Sequence, residues 1–303
     1  MIARVATFAL NNAMIASALQ NQSKVSERQI QTASGLVSSD FGGLGATSKK
    51  VIDLQVAISQ SKNYEDAATS ASNRIEVMYS SVGSMVDLLS SFKSELTSAL
   101  SVNGSDSSAL KDSAEELMNE MASLLNTQYG GRYLFGGEAT TTAPVDLSSY
   151  SNTPSSSVAD TSYYKGGSDI ASVRVSNSQS VSYGVTADNA AFEEAMRAFS
   201  MIANASSSPV DTDTISDAVD LATEALDAVT SVQSKLSLAS KQIDRAVANQ
   251  QDFQDYAGTL VSSLTEVDVA AVTAELSAYQ SQLEASYSAL AKIASLRLSD
   301  YLR

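Results

Sequence analysis

The spacing of apolar residues predicts long α-helices at both ends of the chain. Near the C-terminus these residues alternate at steps of three and four, a heptad pattern interrupted only by the polar Ser286. We call its apolar members the C-terminal seam: Val269, Val272, Leu276, Tyr279, Leu283, Leu290 and Ile293. The same alternation runs through 215–247 and 51–100. A looser version, the N-terminal seam, contains Val5, Phe8, Ile15 and Leu19. A weak pattern at a chain end predicts burial completed by something outside the monomer.

Helix-breaking residues are concentrated between these two arms. All three prolines fall at positions 144, 154 and 209, and glycine is sparse on either side of this centre. Because Pro and Gly are the strongest helix breakers, the distribution predicts a mainly α protein with a different centre. Asn-Gly and Ser-Asp at 102–106 predict a turn and a helix start.

The pattern in the centre of the chain predicts a β-containing insert. In 172–188 the apolar residues alternate in the manner of a strand, at Val173, Val175, Val181, Tyr183 and Val185, and SNSQ between them predicts a hairpin. Before it, LLNTQYGGRYLFGG at 124–137 carries two Gly-Gly pairs. These pairs are predicted to end the last helix of the first arm, with RYLF between them as a short strand.

Composition limits the classes of function. The net charge of −15 argues against a nucleic-acid binder, which would usually carry a basic face. The chain has no Cys, so disulfides and thiolate ligands are excluded. The N-terminus lacks the apolar run of a secretory signal, and no segment reaches the roughly 20 apolar residues of a membrane span. We expect export without a cleaved signal peptide and no membrane insertion.

No pattern predicts an enzyme, a cofactor or a metal site. With neither His nor Cys, such chemistry would depend on carboxylates alone. The pairs Glu115-Glu116 and Glu193-Glu194 fall in helical stretches and are predicted on solvated faces. Asp211 and Asp213 precede Ile215, where charge at a helix N-terminus explains them without a cation.

Three stretches resemble the flagellin superfamily. They are ERQIQTASGLVSSDFGGLGA at 27–46, LLNTQYGGRYLFGG at 124–137, and the C-terminal segment 265–302. Each matches a family motif: a helix ending in Ser-Gly-Leu, a turn into an outer domain, and a helix opened by an Asp. The family-like positions are Ser34, Gly35, Leu36, Gly130, Gly131, Arg132, Phe135, Gly136 and Asp268.

The resemblance implies a fold in which the two arms form a long antiparallel coiled coil or bundle, with a small β-rich outer domain between them. It implies three segments: a terminal assembly domain of 1–34 with 265–303, a helical rod domain of 35–137 with 210–264, and a surface insert of 138–209. It further implies a secreted structural subunit of the bacterial flagellum, exported by the type III apparatus with a chaperone on the C-terminal helix. Such a subunit would polymerise with itself and with neighbouring flagellar subunits.

Three functions stay open at this stage. The segment 163–199 is similar to hook–filament junction proteins of the FlgL type, in which Tyr-Tyr-x-Gly precedes a hairpin and an Ala-Phe-containing helix. This favours a subunit that joins hook to filament, with the hook-side junction protein and the filament flagellin as neighbours. The first alternative is a short flagellin of the alphaproteobacterial type, which would form the filament itself. The second, from a different class, is a secreted adhesin that binds a host surface through the insert.

Overall fold

The computed structural model describes residues 2–101, 107–150 and 155–301, and the side chains of 11–101, 108–150 and 155–292. The turn predicted at 102–106 lies outside this range. Six α-helices account for most of the described chain: α1 (Ile2–Ser34), α2 (Ser48–Ser101), α3 (Ser107–Leu125), α4 (Ala190–Ala203), α5 (Thr212–Thr265) and α6 (Val269–Tyr301). A 3₁₀ helix at Gly42–Thr47 leads into α2, and another lies at Leu147–Ser149.

The β structure is limited to two hairpins. Strand β1 (Gln128–Tyr129) pairs with β2 (Arg132–Tyr133), and β3 (Ser172–Arg174) pairs with β4 (Ser180–Ser182), both antiparallel. The predicted hairpin of the insert is confirmed, with Val173 opposite Val181. The mainly α prediction with a small β-containing region is also confirmed.

The chain forms two compact units. Unit 1 combines Met1–Ser59 with Phe253–Arg303, and unit 2 is Gln60–Asp252. Unit 2 therefore holds the insert together with the helices on either side of it, since α3 packs against α4. The three segments implied by the resemblance stay a prediction about function, with boundaries that differ from those of the compact units.

Unit 2 is built on the antiparallel pairing of α2 and α5. Gln251 Nε2 donates a hydrogen bond to Glu65 Oε1 at 2.7 Å, and Ser61 Oγ lies 2.8 Å from Gln250 Oε1. Most buried residues on both helices follow steps of three and four, the spacing of one helix face. On α5 the buried residues with this spacing are Ile215, Ala218, Ala222, Ala225, Val229, Val232, Leu236, Ala239, Ile243 and Ala246, and Leu221 and Ala257 are buried as well.

Aromatic side chains fix the insert to this helical frame. Phe92 of α2 meets Phe199 of α4 with ring centroids 4.7 Å apart, and Phe135 meets Phe192 edge-on at 5.9 Å. All four rings are fully buried. Helix α4 is therefore the element that joins the insert to the helices, because its apolar face contributes two of these rings.

The prediction that Gly130-Gly131 ends a helix is wrong. Helix α3 ends earlier, at Leu125, and the side chain of the next residue, Asn126, forms hydrogen bonds with the backbone of Val145. Its Nδ2 donates to the Val145 carbonyl and its Oδ1 accepts from the Val145 N–H, both at 2.9 Å. The two glycines form the two-residue turn of the β1–β2 hairpin instead. Their φ values of 60° and 74° suit the left-handed conformation that such turns require. The predicted RYLF strand is shortened to Arg132–Tyr133.

The prediction that Glu193 lies on a solvated face is also wrong, whereas Glu115 and Glu116 are exposed as expected. Glu193 is buried and pairs with Arg197 one turn further along α4, with Arg197 Nε 3.0 Å from Glu193 Oε1. The same carboxylate accepts a hydrogen bond from the Asp160 N–H at 2.9 Å. This pair connects the insert loop before Tyr163 to α4.

Candidate assembly surfaces

The end of α1 is closed by the Ser-Gly-Leu sequence. Gly35 takes a φ of 72°, and its N–H donates to the Gln31 carbonyl at 2.8 Å, which is a left-handed helix cap. Ser34 Oγ accepts a hydrogen bond from the Leu36 N–H. The prediction that a helix ends at these residues is confirmed.

The chain then forms a short backbone clasp, which we define as 35–37 against 265–267. The Val37 N–H donates to the Thr265 carbonyl at 2.8 Å, and the Val267 N–H donates to the Gly35 carbonyl at 2.9 Å. Between them Leu36 and Glu266 form an antiparallel bridge. The clasp therefore holds the end of α1 beside the start of α6.

Asp268 precedes the first residue of α6, as the family resemblance implies. Its Oδ1 accepts hydrogen bonds from the N–H groups of Ala270 at 2.9 Å and Ala271 at 3.2 Å. Two of the otherwise unpaired donors of the first turn are satisfied in this way, and the negative charge suits the positive end of the helix.

Helices α1 and α6 pack against each other through a mixture of small, apolar and polar groups. Arg28 Nε lies 2.8 Å from Glu275 Oε2, an ion pair without a well-directed N–H hydrogen bond. Four residues away on each helix, the ammonium of Lys24 lies 5.1 Å from the ring centroid of Tyr279. Asn21 and Gln31 are both 6% exposed. Gln31 Nε2 donates to the Val37 carbonyl at 2.9 Å.

The structure places the C-terminal seam partly inside this interface. Val272 is buried, Leu276, Tyr279, Leu283 and Leu290 are half-buried, and Val269 is 44% exposed. Ile293 lies outside the residues whose side chains are described. Apart from Tyr279, the seam consists of aliphatic side chains, which are suited to packing.

The two members of the N-terminal seam whose side chains are described do not face inward on α1. Ile15 is 43% and Leu19 61% exposed, whereas Ala18, Asn21 and Val25 are buried. The side chains of Val5 and Phe8 lie outside the described residues. The inward positions include Asn11 and Met14, so the 3–4 repeat is present but shifted by one residue. The hydrophobic pattern did not identify this side because it followed the bulky apolar residues, and this side of α1 also contains the small Ala18 and the polar Asn11 and Asn21.

The remaining family-like positions lie in unit 2. Arg132 pairs with Tyr129 in the β1–β2 hairpin, and Phe135 is fully buried. The carbonyl of Gly136 accepts hydrogen bonds from the N–H groups of Ala139 and Gly167, at 3.1 and 3.0 Å. These residues fix the local path of the chain into the insert.

No described helix is both long and apolar enough to cross a membrane. Within the same residues, no group of three or more potential metal ligands comes together.

Two protein-family models match the helical parts at the two ends of the chain. The model of the bacterial flagellin N-terminal helical region matches residues 5–140, and that of the C-terminal helical region matches 219–302. The chain belongs to the flagellin family. It is therefore a structural protein of the bacterial flagellum, from a family whose members are not enzymes.

Solved structures share the fold. A protein assigned as a flagellar hook-associated protein from Vibrio parahaemolyticus aligns over 75% of this chain and 99% of its own, with a TM-score of 0.60 and 15% identity. FlgL from Bacillus cereus aligns over 72% of this chain and 98% of its own, with a TM-score of 0.50 and 13% identity. The comparison with curated protein sequences found no match. At these identities the likeness to this flagellin-family chain is one of fold.

Proposed function

We propose that this flagellin-family chain is the subunit that joins hook to filament, and that it assembles through unit 1. The observation that carries the assembly step is the distribution of exposed apolar side chains. Of the sixteen large apolar residues described as exposed, eleven belong to unit 1, which holds just over a third of the chain. They are Ile15, Leu19, Ile30, Val37, Phe41, Ile52, Val56, Phe253, Tyr256, Val269 and Tyr287.

Such a concentration favours burial by neighbouring subunits, since exposed apolar patches usually mark contact sites. Because a monomer cannot cover these residues itself, unit 1 would gain its full stability only inside the polymer. Contacts that do not close into a ring then produce a helical assembly.

Two observations support the junction over the filament. The fold aligns with almost the full length of two solved proteins whose names give them as hook-associated or FlgL. In addition, the segment 163–199 forms the expected hairpin followed by the Ala-Phe-containing helix α4. The neighbours would be the hook-side junction protein and the first filament flagellin.

Export belongs to the same proposal. The subunit would leave the cell through the type III apparatus without a cleaved signal. A chaperone would cover α6, whose Val269 and Tyr287 are exposed. The net charge of −15 would keep the subunit dispersed before assembly.

The second candidate is the filament subunit itself. It is favoured by the family models, both of which describe bacterial flagellin. The same unit 1 surface would serve a filament, so the two candidates differ in where the subunit is found along the flagellum.

Immunogold electron microscopy of sheared flagella tests this choice, with an antibody raised against 138–209 and flagella from a strain lacking the gene as the control. A single cluster of gold at the boundary of hook and filament is the expected result. Labelling along the whole filament would make the chain a filament flagellin. Absence of label from the flagella, with the chain found elsewhere on the cell surface, would favour the adhesin.

A further inference from the structure

One side of α5 within unit 2 is exposed over its whole length and changes its charge midway. The residues on it follow steps of three and four, on the side opposite the buried Ile215, Ala222 and Val229. We call this side the α5 face. Its acidic half contains Asp213, Asp217, Asp220, Glu224 and Asp227, and its basic half contains Lys235, Lys241 and Arg245.

No charge of the α5 face forms an ion pair within the described part of the chain, although the exposed Asp244 stands three residues after Lys241. The ion pairs there involve other residues, and Arg245 Nε donates only to the carbonyl of Lys241 on its own helix, at 3.0 Å. In the acidic half, like charges stand three or four residues apart, as Asp220 and Glu224 do, and in the basic half Lys241 and Arg245 are four residues apart. This arrangement is unfavourable in an isolated helix. The α5 face therefore gains by meeting a surface of opposite charge.

A carboxylate on α4, that of Glu194, adds negative charge close to the acidic half of the α5 face. Burial raises the pKa of Glu194 on α4, and the charge of Glu224 raises it further against the opposing effect of Arg197. The acidic half is thus a region in which negative charges already lie close together.

The basic half also offers features that can receive another surface. Leu238 lies between Lys235 and Lys241 and is 57% exposed. Lys241 also lines a groove of about 390 Å³ between α2 and α5, together with Ile75, Tyr79 and polar side chains that include Glu76 and Asp244. An exposed leucine between two lysines is the kind of apolar contact that a charged rim surrounds in protein interfaces.

We propose that the α5 face is a contact between copies of this chain, in which the acidic half of one copy lies along the basic half of the next. The two halves are centred about 20 residues apart, which corresponds to an offset of about 30 Å along a helix. A parallel contact with this offset leaves a free acidic half at one end and a free basic half at the other, so it propagates as an open polymer requires. The proposal rests on the proposed function, because it needs the subunits to assemble in one direction.

Cysteine cross-linking in assembled flagella tests the contact, and the absence of native cysteine removes any background. A chain carrying both Glu224→Cys and Lys241→Cys is expected to form a ladder of disulfide-linked multimers on mild oxidation. Each single variant is expected to stay monomeric, because neither position meets its own copy. Ser231→Cys, near the midpoint, is the matched control for an antiparallel pair, in which position 231 would meet itself.

Charge reversal tests the same contact without cysteines. Lys241→Glu with Arg245→Glu should lower the amount of chain incorporated into flagella about tenfold. Adding Asp220→Lys and Glu224→Lys to the same chain should restore incorporation, a rescue that general destabilisation would not give. Circular dichroism of the purified chains controls for folding.

The outcomes of these experiments distinguish a failure of the α5 contact from a failure of the proposed function. A parent chain that never enters the flagellum would overturn both. Normal incorporation with no ladder from the 224–241 pair, and with no effect of charge reversal, would overturn only the α5 contact. Dimers from Ser231→Cys alone would replace the offset contact by an antiparallel pair and would also overturn it.

Discussion

The ammonium of Lys24 lies 5.1 Å from the ring centroid of Tyr279 and joins α1 to α6. The pair is four residues from Arg28 on α1 and four residues from Glu275 on α6, which are in contact at 2.8 Å. Two polar contacts with the same antiparallel spacing define one register of the helix pair. A shift by a full turn would break both, so these residues select the alignment more than they add stability.

Replacing either member of the Lys24–Tyr279 pair should weaken α1–α6 pairing by about 0.5–1 kcal/mol, the usual size of an exposed cation–π contact. We expect Lys24→Met and Tyr279→Leu each to speed amide hydrogen exchange in both helices. The double variant should lose less pairing free energy than the two single variants combined, because both single variants remove the same contact. Strictly additive losses would mean that the ammonium and the ring do not interact.

A charge on the C-terminal seam should block assembly without unfolding unit 2. Leu276 is half-buried in α6, so Leu276→Asp would place a carboxylate where an apolar contact forms. We expect incorporation into flagella to be abolished, while the far-ultraviolet circular dichroism and thermal unfolding of unit 2 stay unchanged.

The neighbouring exposed Ser277 provides the matched control for Leu276→Asp. Ser277→Asp adds the same charge one residue further along the helix and should be incorporated normally. Deleting 265–303 should likewise abolish incorporation into flagella. Normal incorporation of Leu276→Asp would contradict a role for this seam in assembly.

The long helices could be predicted from the sequence because their buried positions repeat locally. On α5 the predicted positions Ile215, Ala222, Val229, Leu236 and Ile243 are buried. The other predicted positions are half-buried: Val219, Leu226, Gln233, Ser240 and Val247. The start of α6 at Asp268 was implied by the family resemblance, and the N-cap itself depends only on residues two and three positions away.

Structural features that depend on residues distant in the sequence could not be predicted from it. Helix α3 ends where Asn126 bonds to the backbone of Val145, a contact between residues 19 positions apart. Likewise, the Glu193 carboxylate is buried because Arg197 and the Asp160 N–H satisfy it, and neither the burial nor the loop contact follows from helical spacing. On α1 the inward side carries Ala18 and Asn21, which hydrophobicity alone does not select.

Breaking the buried Glu193–Arg197 pair should destabilise unit 2 strongly. Arg197→Met would leave the Glu193 carboxylate buried without its cation, at a cost of about 3–5 kcal/mol in the free energy of unfolding. The double variant with Glu193→Gln should recover much of this loss, since the glutamine carbonyl can still accept from the Asp160 N–H. Urea unfolding measures both. The control is Glu194→Gln at the half-exposed neighbouring position, and a loss from it as large as that of Arg197→Met would contradict the assignment.

Two glycines with similar backbone angles should differ in their tolerance of a side chain. Gly131 has a φ of 74° and open space around an added Cβ. Gly137 has a φ of 62°, but there the Cβ would collide with the carbonyl oxygen of Gly167. We expect Gly131→Ala to cost about 1–2 kcal/mol, from the left-handed backbone alone. Gly137→Ala should cost about 3 kcal/mol or more, because the backbone of 167 must also move. Equal losses in thermal unfolding would show that the close approach at Gly167 does not matter.

The hydroxyl of Tyr150 should make unit 2 sensitive to alkali. It is buried, it has no hydrogen-bond partner among the described residues, and burial together with the charges of Glu193 and Asp160 raises its pKa. A tyrosine whose pKa is raised keeps its proton in the folded state above pH 10, where the unfolded chain releases it. The free energy of unfolding therefore falls as the pH rises beyond about 10.

Tyr150→Phe is expected to reduce this fall and to raise stability near neutral pH by about 1 kcal/mol, since it removes an unpaired buried hydroxyl. The matched control is Tyr164→Phe. Burial raises the pKa of Tyr164 to about 12, but its hydroxyl donates to the Gly167 carbonyl at 2.6 Å. This variant should also be less sensitive to alkali, yet less stable at neutral pH because the acceptor loses its donor. Urea unfolding at pH 8 and pH 11 separates the two effects. A loss of stability in Tyr150→Phe at pH 8 would mean that its hydroxyl is paired after all.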